Sequence, residues 1–244
     1  MGRGGFSLGS VVIFFVLLMT GNAEDQKKDN RLILKYDFSS DVITTNGTGE
    51  FGFPQFMKKP GMAIIGKGKA VAFDGKESFV LIPKSESLHL NDGATIQTVV
   101  KFNDAGIEGG KADAHDMMLF KDNEFLFGRS ANTIYFNMMS DKKWAMTCNA
   151  PFKSDEWVHL AVTLTKSENT CTVKMYINGS NVFTKDFTGV IPDKSSGLIN
   201  IGKGWGGPWF MNGDMAEISI YSAPLVEVEI VRNYKSSPYV DKQQ

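Results

Sequence analysis

Thr172-Val173-Lys174-Met175-Tyr176-Ile177-Asn178-Gly179 is the stretch that decides the fold. In an extended chain, successive side chains point to opposite faces. Val173, Met175 and Ile177 therefore share one face, and Thr172, Lys174 and Tyr176 the other. Asn178-Gly179 follows, a pair that accepts positive φ cheaply and closes two-residue hairpins. Val182, Phe183 and Phe187 are available on the return. Just upstream, Trp157-Val158-His159-Leu160-Ala161-Val162-Thr163-Leu164 alternates too and ends in the polar loop Lys166-Ser167-Glu168-Asn169. Consecutive antiparallel strands follow from these signals.

The pattern extends outward in both directions. Short apolar or alternating runs recur at Leu32 to Phe38, Ala70 to Phe73, Phe79 to Ile82, Thr95 to Phe102, Met117 to Phe120 and Glu124 to Gly128. Others lie at Thr133 to Met138, Lys143 to Cys148, Asn181 to Phe187, Gly197 to Ile201 and Asp214 to Tyr221. Asp74-Gly75, Asn91-Asp92-Gly93 and Asn212-Gly213 mark further reversals. A series of short strands with no long helical period predicts an all-β fold, two antiparallel sheets packed as a β-sandwich. Helical character is confined to Pro224 to Tyr234, where Leu225, Val228 and Val231 share a face; a short C-terminal helical turn is expected there.

Residues 1–23 read as a cleaved signal peptide. Arg3 precedes an apolar run from Phe6 to Thr20, too short to span a bilayer comfortably, and Gly21-Asn22-Ala23 supplies small residues for cleavage. An uncleaved signal anchor is the competing reading. Residues 24–31 form a polar, flexible leader, 32–235 the domain and 236–244 a polar tail. The expected location is therefore secreted and extracellular, with no membrane span in the mature chain. Two sequons, at Asn46 and Asn178, are glycosylation candidates at turns. Cys148 and Cys171 admit two readings, a disulfide suited to an oxidising compartment or two buried thiols; the compartment favours the disulfide.

The 244-residue chain carries 26 Lys and Arg against 27 Asp and Glu. The lysines are scattered among acids and form no basic stripe, which argues against a nucleic-acid partner.

Seven pieces, in order, resemble the laminin-G-like (LamG and pentraxin-type) jelly-roll domains of the concanavalin A-like lectin/glucanase superfamily. They are Gly68 to Gly75, Phe79 to Leu90, Thr95-Ile96 to Lys101, Trp157 to Thr163, Tyr176 to Gly179, Ile199 to Gly202, and Gly213 to Tyr221 with Leu225 and Glu229-Ile230. The resemblance implies a jelly roll and a binding module, with carbohydrate or an extracellular matrix component as partner. Three positions depart from the family: Val99 replaces the usual Trp, Met211 the usual Phe, and Ala216 the usual Asp. Loss of that last carboxylate weakens any inherited expectation of calcium nearby.

Glucanases of the superfold carry Glu-x-Asp-x-x-Glu on one strand, so that alternate carboxylates meet in a cleft. No Glu of this chain has that spacing, and Glu227-Val-Glu229 falls in the helical stretch as a solvated face. The chain therefore reads as a non-enzyme. His89 and His159 sit at family structural positions; His115 reads as a solvated loop residue. The insertion bearing Asp104, Glu108, Asp113 and Asp116 is a candidate metal site, with Ca²⁺ as the one cofactor it suggests. The stronger binding candidate is Gly202 to Phe210. There Trp205 and Trp209 can stack on sugar rings, with Lys203 and Asn212 supplying hydrogen bonds. The alternative, weighed equally, is that both Trp fold back as plugs. The leading reading is a lectin-like module; the runner-up is a structural matrix or adhesion protein with no sugar specificity.

Overall fold

The computed structural model describes residues 29–38, 55–58, 61–65, 68–84, 88–90, 92–103, 115–152, 155–206 and 209–240. The signal and most of the leader, Asn46, Asp104, Glu108, Asp113 and the last four residues lie outside the described residues. The strands are β1 (Leu32–Asp37), β2 (Gln55–Met57), β3 (Gly61–Ile65), β4 (Gly68–Asp74), β5 (Phe79–Ile82), β6 (Ala94–Phe102), β7 (His115–Lys121) and β8 (Phe125–Ser130). They continue as β9 (Thr133–Ser140), β10 (Lys143–Pro151), β11 (Val158–Lys166), β12 (Thr170–Ile177), β13 (Ser180–Thr188), β14 (Ile199–Ile201) and β15 (Asn212–Tyr221), followed by α1 (Glu227–Ser236).

Two antiparallel sheets form the expected sandwich. One runs β13-β12-β11-β6-β15-β4-β3, with β1 also paired to β15; the other runs β10-β9-β8-β7-β14-β5-β2. The hairpin read at Asn178-Gly179 is present: both residues have positive φ, and Ile177 pairs with Ser180. The Asn178 side chain accepts the His159 N–H at 2.9 Å, so this sequon sits in a half-buried, hydrogen-bonded turn. The reversal expected at Asn212-Gly213 is instead the start of β15. Glycine there answers close approach, because a Cβ on Gly213 would stand 2.2 Å from the Lys101 carbonyl oxygen of β6. Strands β2 and β3 are additions to the sequence reading.

The main core lies between the sheets. It takes Ile96, Val100 and Phe102 of β6, Leu160 and Val162 of β11, Val173 and Met175 of β12, and Phe127 and Phe136 from the opposite sheet. Met211 belongs to it, whereas Val99 and Ala216 pack with Ala70 and Val240 in a separate cluster. Cys148 and Cys171 are both buried in the main core as free thiols, which corrects the disulfide expected between them. Each fills the site as a small hydrophobe, and burial pushes both thiols above their ordinary pKa, Cys148 to about 12.

Helix α1 covers the outer face of the larger sheet, where Ala161, Tyr176, Leu225 and Ile230 form a cluster. Its buried face is not the one expected: Ile230 is sequestered, while Val228 is exposed. Glu229 explains the register. Its carboxylate accepts the Val226 N–H at 2.9 Å, a helix N-terminal brace, and pairs with Arg31 at 2.6 Å.

Inside the sandwich, the fully buried Glu124 carboxylate meets Lys121 Nζ at 2.6 Å and accepts the backbone N–H groups of Leu90 and Ser195, each at 3.0 Å. One charge thus joins the β7–β8 turn to two loops. Glu124→Ala leaves the Lys121 ammonium buried without its counter-charge; a loss of about 3–5 kcal/mol in urea unfolding is expected. A loss below about 1 kcal/mol would show that the pair is dispensable.

His159 supplies a pH test. Burial under α1 pushes its pKa down from 6.5 to about 4. The unfolded chain therefore takes up a proton below pH 6.5 that the folded chain refuses until about pH 4. Stability is full above that window and falls as pH drops through it, by about 3 kcal/mol in all. Urea melts from pH 7 to 4.5 should show this decline in the natural chain and a flatter profile in His159→Gln; parallel profiles would refute it.

Candidate functional site

Strand alternation builds the site on the outer face of the smaller sheet. In β9, Ile134, Phe136 and Met138 enter the core, so Thr133, Tyr135 and Asn137 face outward. Register sets Tyr135 between Gly128 of β8 and Asn149 of β10, and Asn137 beside Leu126. Met117, Phe120, Leu126 and Tyr135 form a second apolar cluster on this face. Gly128 makes room for it, since a Cβ there would stand 2.6 Å from the Tyr135 hydroxyl.

The loop between β14 and β15 lies over this cluster. Gly202 N–H donates to Met118 O at 3.0 Å, Met211 N–H to Gly202 O at 3.0 Å, and Gly204 N–H to Trp209 O at 2.8 Å. Asp116 ties down the far end: one carboxylate oxygen accepts the Asn212 N–H at 2.8 Å, the other Arg129 Nε at 2.9 Å. Arg129 is itself buried, with its guanidinium 4.2 Å from the Phe102 ring centroid.

Aromatic rings then run across the face in contact. Trp205 lies 4.1 Å from Trp209, 5.5 Å from Phe120 and 6.0 Å from Trp144, measured between ring centroids. Trp209 in turn lies 5.1 Å from His115, which is 5.5 Å from Tyr135. Beside them opens a cavity of about 480 Å³ lined by both loop tryptophans, His115, Met117, Tyr135, Asn137 and Asn149 among others. Among the described residues, none that lines it carries a carboxylate, ammonium or guanidinium group.

Polar atoms are few and placed. The Tyr135 hydroxyl lies 3.1 Å from His115 Nδ1. Burial, with the Asp116 carboxylate nearby, holds this phenol above its usual pKa, so it stays neutral. Asn137 Oδ1 is buried with no hydrogen-bond donor. An unsatisfied buried acceptor carries a desolvation cost of about 1–3 kcal/mol, which a donor entering the cavity would relieve. The site can stack and hydrogen-bond a neutral molecule; the carboxylate pair that glycoside hydrolysis needs is not among its described lining residues.

The two tryptophans divide the alternatives posed for them. Trp209 is half-buried, packed with its Cβ close to Gly204, while Trp205 is 45% exposed. Lys203 and Asn212 do not line the cavity. Lys203 Nζ sits 4.4 Å from the Phe79 ring centroid, and Asn212 Oδ1 accepts from Asn103 Nδ2 at 2.9 Å. Asp116, expected as a metal ligand, is instead the partner of Arg129. Among the described residues, no group of three or more His, Cys, Asp or Glu side chains could hold a metal ion. His115 is not a solvated loop residue but the half-buried first residue of β7. Sequence reasoning missed Trp144, Tyr135, Asn137 and Asn149. The alternation of Thr133 to Met138 carried the signal for Tyr135 and Asn137; Trp144 needed the three-dimensional approach of the loop.

No curated protein matches this chain in sequence. Among solved structures, the binding domain of Paraclostridial Mosquitocidal Protein 1 is similar with a TM-score of 0.68 at 14% identity, over 84% of this chain and 52% of that one. The botulinum neurotoxin serotype C1 binding domain gives 0.64 at 13% identity, over 86% and 53%. Domain 4 of AbnA, a GH43 extracellular arabinanase from Geobacillus stearothermophilus solved in complex with arabinotriose, gives 0.59 at 20% identity, over 83% and 97%. The chain thus spans about half the length of the toxin binding domains and nearly all of the arabinanase module. These likenesses show the jelly-roll fold, and a family model matches residues 74–231: the chain belongs to the concanavalin A-like lectin/glucanases superfamily, as a laminin-G-type domain.

Proposed function

We propose that the chain is a secreted, non-catalytic, lectin-like module that binds a neutral glycan in the aromatic groove of the smaller sheet. The observation that carries this reading is the lining itself: stacked, partly exposed rings beside a buried acceptor, Asn137 Oδ1, that lacks a donor. Sugars present C–H faces that pack on aromatic rings and hydroxyls that donate to such acceptors. The described lining residues carry no formal charge, which favours neutral over acidic sugars, since an isolated carboxylate would lose hydration with no cation among them to receive it. The cavity volume of about 480 Å³ falls within the usual small-molecule range of about 300–1,000 Å³. Support also comes from the similar domains, one solved with arabinotriose and others described as binding domains. The signal-like residues 1–23 support secretion, and mass spectrometry of the exported chain would locate the cleavage.

A glycan array probed with residues 24–244, with Ca²⁺ and with chelator, is the test. Neutral glycans should be retained, and chelator should leave retention unchanged because the described lining residues offer no carboxylate to a metal. Trp205→Ala combined with Asn137→Ala should weaken binding at least tenfold at an unchanged melting temperature, consistent with loss of about 2 kcal/mol from a central aromatic contact. A blank array from folded protein would move the reading to a matrix or adhesion protein. Loss of binding on chelation would return calcium to the site.

A further inference from the structure

Trp144 stands on the groove face through a break in strand alternation. In β10, Met146, Cys148 and Ala150 enter the core, while Thr147 and Asn149 are exposed. Unbroken alternation would send Trp144 inward with Met146. The register against β9 shifts between these two residues: Trp144 pairs with Met139 and Met146 with Met138, so Ala145 is an extra residue in β10. A bulge of this kind re-aims the side chain beside it. Met138 lies in the core, so Met139 and the Trp144 opposite it face outward, and Trp144 is accordingly 41% exposed.

Trp144 is not one of the residues that line the cavity, yet it adjoins one. Its ring centroid lies 6.0 Å from that of Trp205, a lining residue, and the two ring planes are tilted by 32°. Both rings stay substantially exposed despite this contact. Between the cavity and Trp144, β10 presents Asn149, which lines the cavity, and Thr147, which pairs with Asn137. From Asn149 to Trp144 the strand rises roughly 15 Å, more than one sugar ring covers. Among the described strands, β10 is the terminal one of the smaller sheet, so this path follows an edge.

A large ring turned out of the core and left in water forgoes the stabilisation of burial, which a ligand stacked on it restores. A single sugar unit in the cavity reaches Trp205 and the Asn137 acceptor but leaves Trp144 uncovered. The next unit of a linear chain, leaving the cavity over Trp205, meets Trp144, with the Thr147 hydroxyl beside it to exchange hydrogen bonds. We propose, on the reading of the groove as a glycan site, that Trp144 is the platform of a second sugar subsite. The preferred ligand is then a linear neutral oligosaccharide, at least a disaccharide, held from the cavity across Trp205 to Trp144.

The test reads the glycan array as homologous series of neutral oligosaccharides, cello-, malto-, manno- and galacto-oligosaccharides among them, from monosaccharide to trisaccharide. Calorimetric titration of residues 24–244 then measures affinity along each series that is retained. In the natural chain, affinity should rise roughly tenfold between monosaccharide and trisaccharide. Trp144→Ala should abolish that rise, and Trp144→Phe, which keeps a ring, should retain most of it. The side chain is exposed, so both variants should fold, and an unchanged melt checks it. If alanine lowers the melt, Trp144→Gln gives the same reading. An affinity independent of chain length, or a rise that survives loss of the ring, would overturn the second subsite and leave the groove reading intact. Folded protein that binds no glycan of any length would overturn both.

Discussion

The groove depends on one half-buried carboxylate. Asp116 lies near the start of β7, receives the Arg129 guanidinium from β8 and holds the first N–H of β15, a strand of the other sheet. A charge removed from water persists only if its partners are near and correctly directed. Each of these three elements is thereby held to a narrow position relative to the others. Phe102 of β6 closes the arrangement by covering the guanidinium. Since Asn212 terminates the tryptophan loop, a bond made for electrostatic reasons sets where Trp205 and Trp209 can lie. The residue helps to set the groove's geometry without being among the residues that line it.

Much of the fold was legible because alternation is a direct record of burial. Val173 and Met175 enter the core and Asn178-Gly179 turns with positive φ, as a period-two reading requires. The exceptions have local causes. Asn212-Gly213 has turn chemistry, yet the glycine serves the close approach of β6 to β15 and the asparagine bonds to Asp116 and Asn103. The apolar face of α1 was misplaced because Val228 looks like a core residue in isolation. The Arg31–Glu229 pair and the brace to Val226 fix the rotation that buries Ile230 instead. Neither long-range partner is encoded in helical spacing.

The site was legible in part for a related reason. Two tryptophans in a glycine-rich loop announce themselves, but which one is presented depends on what lies beneath. Trp209 finds Gly204 and His115, whereas Trp205 finds Phe120 and Trp144 and stays half outside. Lys203, adjacent in sequence, was drawn to the Phe79 and Phe210 rings on the other side of the loop. Proximity along the chain is a poor guide where a strand pair sends successive side chains apart.

The loop's position also follows from how the chain passes between sheets. β14 belongs to the smaller sheet and β15 to the larger, and packed sheets lie about 10 Å apart. The ten residues from 202 to 211 could span roughly 33 Å if extended. The excess must fold somewhere. Bonds from Gly202 to Met118 and from Asn212 to Asp116 fix both ends against β7, and the Lys203–Phe210 bridge makes the surplus a hairpin. Trp205 and Trp209, within this bridge, then lie on the outer face beside Phe120 and His115, next to the apolar cluster of Met117, Phe120, Leu126 and Tyr135. Outward-facing apolar residues on the smaller sheet would otherwise stand in water. Covering them partly, and leaving a cavity beside Asn137, turns the need to cross between sheets into the geometry of the aromatic groove.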